Sequence, residues 1–236
     1  MIAVIQAGGK GVRLRPYTMV MPKPLMPVGD LPVIEVIIKW LRRWGVTQTY
    51  ITLGYLGGLI RALCGDGKQW DTQIIYKQEP EPLGTVGSLK LLKDDLKETF
   101  FNVNSDLITD LNLRAFQAFH LEHGGLITVA VTERIVKSEL GVFEIENNRM
   151  VNFHEKPTTK YQASCGVYCM EPAILDFIPN GVPFGFDDLM NCMLDKKLPV
   201  WLYRHDGLWL DIGREEDYRS VQHSFMKDYK IRVLGA

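Results

Sequence analysis

Cysteine is sparse and scattered. The four residues Cys64, Cys165, Cys169 and Cys192 form no C-x-x-C pair, which argues against a structural zinc site, since such sites draw on closely spaced soft ligands. Their apolar neighbours predict small buried thiols in a reducing compartment. An excess of one charge is also lacking: 27 Lys and Arg stand against 28 Asp and Glu, a net charge of −1. Nothing is left over for the phosphate backbone of a nucleic acid polymer. No apolar run approaches the roughly 20 residues that span a bilayer, and Met1–Ile5 lacks the charged leader and cleavage site of a secretory signal. A cytoplasmic chain with no membrane partner is expected. Among the five histidines, His120 and His123 share a helix face but have no acidic partner in register, which predicts surface residues. Serine, histidine and aspartate do not gather into a nucleophilic constellation, and neither do cysteine and histidine. No linker, low-complexity tract or internal repeat divides the chain.

What is present is an alternation of strand and helix patterns. Ala3–Gln6 is a short apolar run ending in glycines, as a buried parallel strand is. Pro32–Trp44 places Val33, Ile34, Ile37, Ile38, Leu41 and Trp44 at the spacing of one helical face, with Gly45 as its stop. Strands are expected at Tyr50–Leu53, Gln73–Lys77, Phe100–Asn104 and Leu126–Thr132, and helices at Leu56–Leu63, Thr85–Leu96 and Leu113–Glu122. Repeated strand–helix–strand units predict a mainly parallel sheet covered on both faces. The second half changes character. Gly141–Glu146 and Met150–Phe153 flank Asn147-Asn148-Arg149 as a hairpin would, Ser164–Met170 and Pro199–Arg204 read as strands, and Pro172–Phe177, Phe186–Leu194 and Glu215–Asp228 read as helices. The expectation is one α/β domain over residues 1–236, with a substrate-facing insertion in its second half.

The strongest local signal follows the first strand: Gln6-Ala7-Gly8-Gly9-Lys10-Gly11-Val12-Arg13-Leu14-Arg15-Pro16. Glycines let backbone amides approach a phosphate and adopt φ > 0 at little cost. Neither common phosphate motif fits. G-x-x-x-x-G-K-[ST] is missing, and G-x-G-x-x-G fails because Leu14 occupies the third glycine position. Pro16, Pro22, Pro24, Pro27 and Pro32 exclude regular helix and central strand from the next stretch. A long ordered loop after a first strand is usually functional, and this one carries Arg13, Arg15 and Lys23.

Gly8-Gly9-x-Gly11-x-Arg13-Leu14-x-Pro16-x-Thr18, followed by Pro22-Lys23-Pro24-Leu25-x-Pro27-Val28, resembles the sugar-1-phosphate nucleotidyltransferases. The resemblance continues in family order through Pro82-Leu83-Gly84-Thr85, Asn104-Ser105-Asp106, Glu155-Lys156-Pro157 and Trp209-Leu210-Asp211-Ile212-Gly213. It implies a Rossmann-like three-layer α/β/α fold, a mainly parallel mixed sheet and a sugar-binding insertion, with a nucleotide-binding half to about residue 110 and a sugar-phosphate-binding half from about 111. The length matches the catalytic domain alone, leaving no room for the C-terminal left-handed β-helix of some members. Two positions depart from the pattern. Val12 stands where Thr is common and Ser105 where Gly or Ala precedes the aspartate, and neither removes a charged group.

The implied reaction is attack of a sugar 1-phosphate oxygen on the α-phosphorus of an NTP, expelling pyrophosphate. That nucleophile is already ionised at pH 7, so no general base is needed, and catalysis reduces to positioning and charge neutralisation. By the resemblance, Ala7, Gly8, Gly9, Gly11, Glu79, Gly84 and Thr85 line the nucleotide site. Arg13 holds the departing phosphates and Lys23 the α-phosphate region. Lys156 holds the sugar phosphate, and Glu155 and Gly141 face the sugar hydroxyls. Asp106 and Asp211 hold a divalent cation such as Mg²⁺, a hard ion for which two carboxylates and substrate phosphates suffice. Glu79 falls where thymidylyltransferase relatives use Gln. A carboxylate only accepts, and guanine offers two adjacent donors, which favours GTP. Pro82-Leu83-Gly84-Thr85 also resembles guanylyltransferases acting on mannose or heptose 1-phosphate, which implies that acceptor. Three alternatives remain: UTP or dTTP with another sugar 1-phosphate, cytidylyl transfer to a non-sugar phosphate, and a non-catalytic nucleotide-sugar-binding regulatory paralogue. Relatives are often dimers or tetramers, so a homo-oligomer is within reach; Ile174, Phe177 and Ile178 suit an interface as well as a core.

Overall fold

The computed structural model describes residues 1–213, 215–225 and 229–235. Strand β1 (Ile2–Ala7) leads into the proline-rich loop, where proline's fixed φ and missing N–H allow only short pieces. These are 3₁₀ turns at Val12–Leu14, Tyr17–Met19 and Lys23–Leu25, then a small ribbon of β2 (Pro27–Val28) and β3 (Leu31–Pro32). Helix α1 (Val33–Arg43) buries Val33, Ile34, Ile37, Ile38 and Leu41 of the predicted stripe together with Val36 and Trp40, while Trp44 is the residue that caps its C-terminus and is only partly buried. The chain continues through β4 (Gln48–Leu53), α2 (Gly57–Cys64) and β5 (Gln73–Gln78).

The single helix expected at Thr85–Leu96 is instead one α turn, α3 (Gly84–Gly87), running into a 3₁₀ segment at Ser88–Leu92. In 3₁₀ geometry residues i and i+3 eclipse, which stacks Leu89 and Leu92 together in the core, both fully buried. Next come β6 (Phe100–Asn104), β7 (Leu107–Thr109), α4 (Leu113–His123) and β8 (Ile127–Lys137). The predicted hairpin is β9 (Val142–Glu146) with β10 (Arg149–His154), and β11 (Thr158–Met170) starts six residues earlier than its pattern suggests. A 3₁₀ helix at Pro172–Phe177, α5 (Phe186–Asp195), β12 (Val200–Arg204), β13 (Trp209–Asp211), α6 (Glu215–Ser224) and α7 (Lys230–Leu234) complete the order. Residues 226–228 of the last expected helix lie outside the described residues.

Seven strands form one sheet in the order β12-β8-β11-β6-β1-β4-β5. Only β11 runs against its neighbours; the other pairings are parallel. Alternation along each strand feeds two cores. Ala3 and Ile5, Phe101 and Val103, and Val167 and Cys169 face one with α1, α2 and α4. Val4, Phe100, Tyr168 and Met170 face the other with the 88–92 segment and α5. The result is the three-layer Rossmann-like architecture with a mostly parallel mixed sheet.

One expectation is corrected and one open choice is decided. His120 is 1% exposed, its Nδ1 2.7 Å from the Thr128 hydroxyl and its Nε2 3.2 Å from a Glu171 carboxylate oxygen; the partner lies 51 residues away, beyond the reach of helix periodicity. Ile174 and Ile178 lie inside the second core with Phe177 packed against it, so these side chains serve the interior.

Candidate active site

The four parallel strands β1, β4, β5 and β6 end at Ala7, Leu53, Gln78 and Asn104, and the residues just past those ends build a cleft of about 980 Å³. A crevice outside the carboxyl ends of the strands is where open α/β sheets bind ligands. Ala7, Gly8, Gly9, Gly11, Arg13, Lys23, Glu79, Gly84, Thr85 and Asp106, ten of the residues expected at the site, line it together.

The glycine loop is held to the sheet by its backbone. Tyr55 donates its N–H to the Gly8 carbonyl at 3.3 Å, and a Cβ on Gly8 would overlap the Glu79 carboxylate, so any larger residue there would push Glu79 from its place. Gly11 has φ of 59°, and its carbonyl accepts the Thr18 hydroxyl at 2.8 Å, tying the glycine loop to the proline-rich stretch. Glu79 is 8% exposed. Its N–H donates to the Leu53 carbonyl at 2.8 Å, and its Oε2 accepts the Leu83 N–H at 3.1 Å. Burial pushes its carboxyl above the ordinary glutamate range, against the pull of that N–H. The Thr85 hydroxyl accepts the Phe186 N–H at 2.9 Å, which fastens the cleft wall to α5.

The charged groups meet where β6 ends. Lys23 is buried and forms an ion pair with Asp106. Asp211 arrives on β13, which pairs antiparallel with β7 so that Asp211 stands opposite Leu107, next to Asp106 in sequence, while Ile212 donates its N–H to the Asp106 carbonyl at 3.0 Å. The Asp211 Oδ1 accepts the Gly213 N–H at 2.7 Å. Burial first, then the charge of Asp106, raises the Asp211 carboxyl, with Lys23, that N–H and Arg13 pulling it down. Two adjacent carboxylates, one already neutralised by an ammonium group and one short of positive charge, are hard oxygen donors suited to a divalent cation with phosphate and water completing its shell. Among the described residues no three His, Cys, Asp or Glu side chains gather as a metal site, so substrate oxygens would supply the remaining ligands.

The expected sugar-phosphate residues come together elsewhere. Gly141, Glu155 and Lys156 sit at the root of the β9–β10 hairpin and are not on the lining of the cleft. A Cβ on Gly141 would come 3.2 Å from Glu155 Oε2, and Lys156 Nζ lies 3.9 Å from Glu155 Oε1. Both charged side chains are exposed. The hairpin grows from β8, parallel to β12 and separated from β6 by β11 alone, so it rises from the same sheet edge as Asp106. Gly54, Tyr55, Gln78 and Ser88 also line the cleft and carry no motif. Gly54, Tyr55 and Gln78 sit at strand ends, where the carboxyl-edge rule of parallel sheets would have found them.

A nucleotidyl transferase family model matches residues 2–228. The chain belongs to that family. A UTP–glucose-1-phosphate uridylyltransferase of Synechocystis is 32% identical over 92% of this chain and 61% of its own length. A mannose-1-phosphate guanyltransferase of Schizosaccharomyces pombe is 33% identical over 100% of this chain and 68% of its own. This family member thus spans about three-fifths to two-thirds of the length of the curated relatives it matches. The crystal structure of HddC from Yersinia pseudotuberculosis superposes with a TM-score of 0.75 at 22% identity, covering 95% of this chain and 99% of that one, a likeness of fold.

Proposed function

We propose that this family member transfers a nucleotidyl group from an NTP to a sugar 1-phosphate, releasing pyrophosphate. The observation that carries this is the gathering of Gly8, Gly11, Arg13, Lys23 and Asp106 on one cleft beside a buried carboxylate, Glu79. The acceptor's phosphate oxygen forms the new bond to the α-phosphorus as the bond to the β-phosphate oxygen breaks, and the electron pair leaves with pyrophosphate. The glycine loop cradles the phosphates through backbone N–H groups, Arg13 takes the charge building on the leaving pyrophosphate, and Lys23 turns from Asp106 to the α-phosphate. Such fixed cations act where charge develops and need no reorganisation at the moment of reaction. Lys156 anchors the acceptor's phosphate, while Glu155 and Gly141 face its hydroxyls. Asp106 and Asp211 would hold the divalent cation, which supplies Lewis-acid neutralisation of phosphate charge when bound.

The donor is GTP and the acceptor mannose or heptose 1-phosphate. Glu79 supports the base: a buried carboxylate accepts the two adjacent donors of guanine and faces only one on uracil or thymine. The guanyltransferase relative supports the sugar. A uridylyl donor is the second reading, favoured by the Synechocystis relative. Pyrophosphate release across GTP, UTP, dTTP, CTP and ATP against a panel of sugar 1-phosphates tests all of this. GTP with mannose or heptose 1-phosphate is expected to lead. A lead for UTP or dTTP overturns the base assignment, and tight NDP-sugar binding with no release from any pair overturns catalysis in favour of a regulatory paralogue.

A further inference from the structure

The ribbon of β7 and β13 is only three residue pairs long, Leu107–Asp211, Ile108–Leu210 and Thr109–Trp209. Its near end carries both aspartates of the site. Its far end closes in a dense polar lock. Asp110 Oδ1 accepts the Leu208 N–H at 2.7 Å and lies 3.2 Å from His205 Nε2. Asp110 Oδ2 accepts the Arg232 Nε–H of α7 at 2.5 Å. The Thr109 hydroxyl donates to the Leu208 carbonyl at 2.8 Å and accepts the Leu111 N–H at 3.1 Å, and the His205 N–H donates to the Val131 carbonyl at 2.8 Å. The Asp110 and His205 side chains are 15% and 9% exposed. Helix α7 is itself fixed from α1, where Arg43 donates to the Arg232 and Val233 carbonyls at 2.7 and 3.0 Å.

We infer that Asp110 is a positioning residue, which couples α7 and His205 to the register of this ribbon and so sets how Asp106 and Asp211 face each other. It cannot touch the reacting atoms: the three residues of β7 lie between it and Asp106, four steps that span about 13 Å at the usual rise. A short two-stranded ribbon is marginal by itself, so its two carboxylates keep a fixed separation only if its far end is held. Groups behind metal ligands are typically worth about 10- to 100-fold in metal affinity. The inference rests on the proposal that the two aspartates hold the cation.

The test is Mn²⁺ affinity by electron paramagnetic resonance, in the full chain with a non-hydrolysable analogue of the NTP selected by the pyrophosphate-release panel. Asp110→Asn and Arg232→Gln are each expected to weaken Mn²⁺ binding about tenfold. The Mg²⁺ requirement for turnover should rise in parallel, with kcat at saturating Mg²⁺ and the NTP KM close to wild type. Asp211→Asn serves as the reference for the metal reading. If it leaves Mn²⁺ affinity unchanged, the assignment of the aspartates fails. If it weakens Mn²⁺ binding while Arg232→Gln, folded by circular dichroism, does not, the lock is purely structural and the inference is overturned. Arg232 is half exposed, so its variant decides the matter even if Asp110→Asn fails to fold.

Discussion

At the scale of single residues the site is governed by which charges are compensated. Asp106 has Lys23 beside it, whereas Asp211 is buried next to another carboxylate. Replacing either by Ala removes a ligand from the cation proposed above, and stabilisation of that kind is worth about 10²-fold or more in rate. Turnover of Asp106→Ala and Asp211→Ala should fall by at least that much. The melting temperature should hold or rise in Asp211→Ala and fall in Asp106→Ala, which leaves the buried Lys23 without its partner. Near wild-type turnover of Asp211→Ala at saturating Mg²⁺ would show that it is no ligand. Glu79 allows a second test. Its native pKa lies above the unfolded value because its carboxyl is buried, so its contribution to stability is full below the ordinary glutamate range and is lost as the pH rises through the native value. The melting-temperature difference between Glu79→Gln and wild type should therefore move in the variant's favour from pH 4 to pH 7. The same variant should lose preference for GTP over UTP, because an amide also donates. A difference constant with pH would remove the burial argument, and an unchanged preference would remove Glu79 from base reading.

At the scale of elements, strands and the first helix were legible because their signals are local. The α1 stripe and the apolar runs of β1 and β6 need no tertiary information. What was not legible depends on partners far away: His120 is buried by Glu171, β11 is lengthened by pairing with β8 as far as Lys137, and β7 and β13 are too short to show a pattern until they pair with each other. The hairpin lies between these cases. Its turn is set by Asn147 and Asn148, with φ of 49° and 63°, the left-handed pair of a type I′ turn, which Asn tolerates and Ala resists. If this arm presents Gly141, Glu155 and Lys156 to the acceptor, Asn147→Ala with Asn148→Ala should raise the sugar 1-phosphate KM about fivefold, the equivalent of roughly 1 kcal/mol of loosened arm, and leave the NTP KM unchanged. Asn148→Gly should change neither. A shift confined to the NTP KM would place the arm on the wrong substrate.

At the scale of the molecule, the two halves expected from sequence, split near residue 110, are interleaved. β11 from the second half lies between β6 of the first and β8 of the second, and β13 closes onto β7. Strands from both halves supply each core. Neither half has a closed interior of its own, so residues 1–110 expressed alone should not fold and the whole chain should unfold as one unit. The cysteines report on this without labels. Cys64, Cys165 and Cys169 are buried in the first core, and burial raises the thiols of Cys64 and Cys165 to about 12 and that of Cys169 further still. Cys192 is only partly covered, on α5 beside the second core. Since the thiolate is the reactive species, a disulfide reagent at pH 8 should modify Cys192 first and leave the other three until the sheet opens. In a urea series their reactivity should appear at the midpoint at which helical circular dichroism is lost. If they react well before that midpoint, the first core opens separately from the second, and the chain is two cooperative units sharing a sheet.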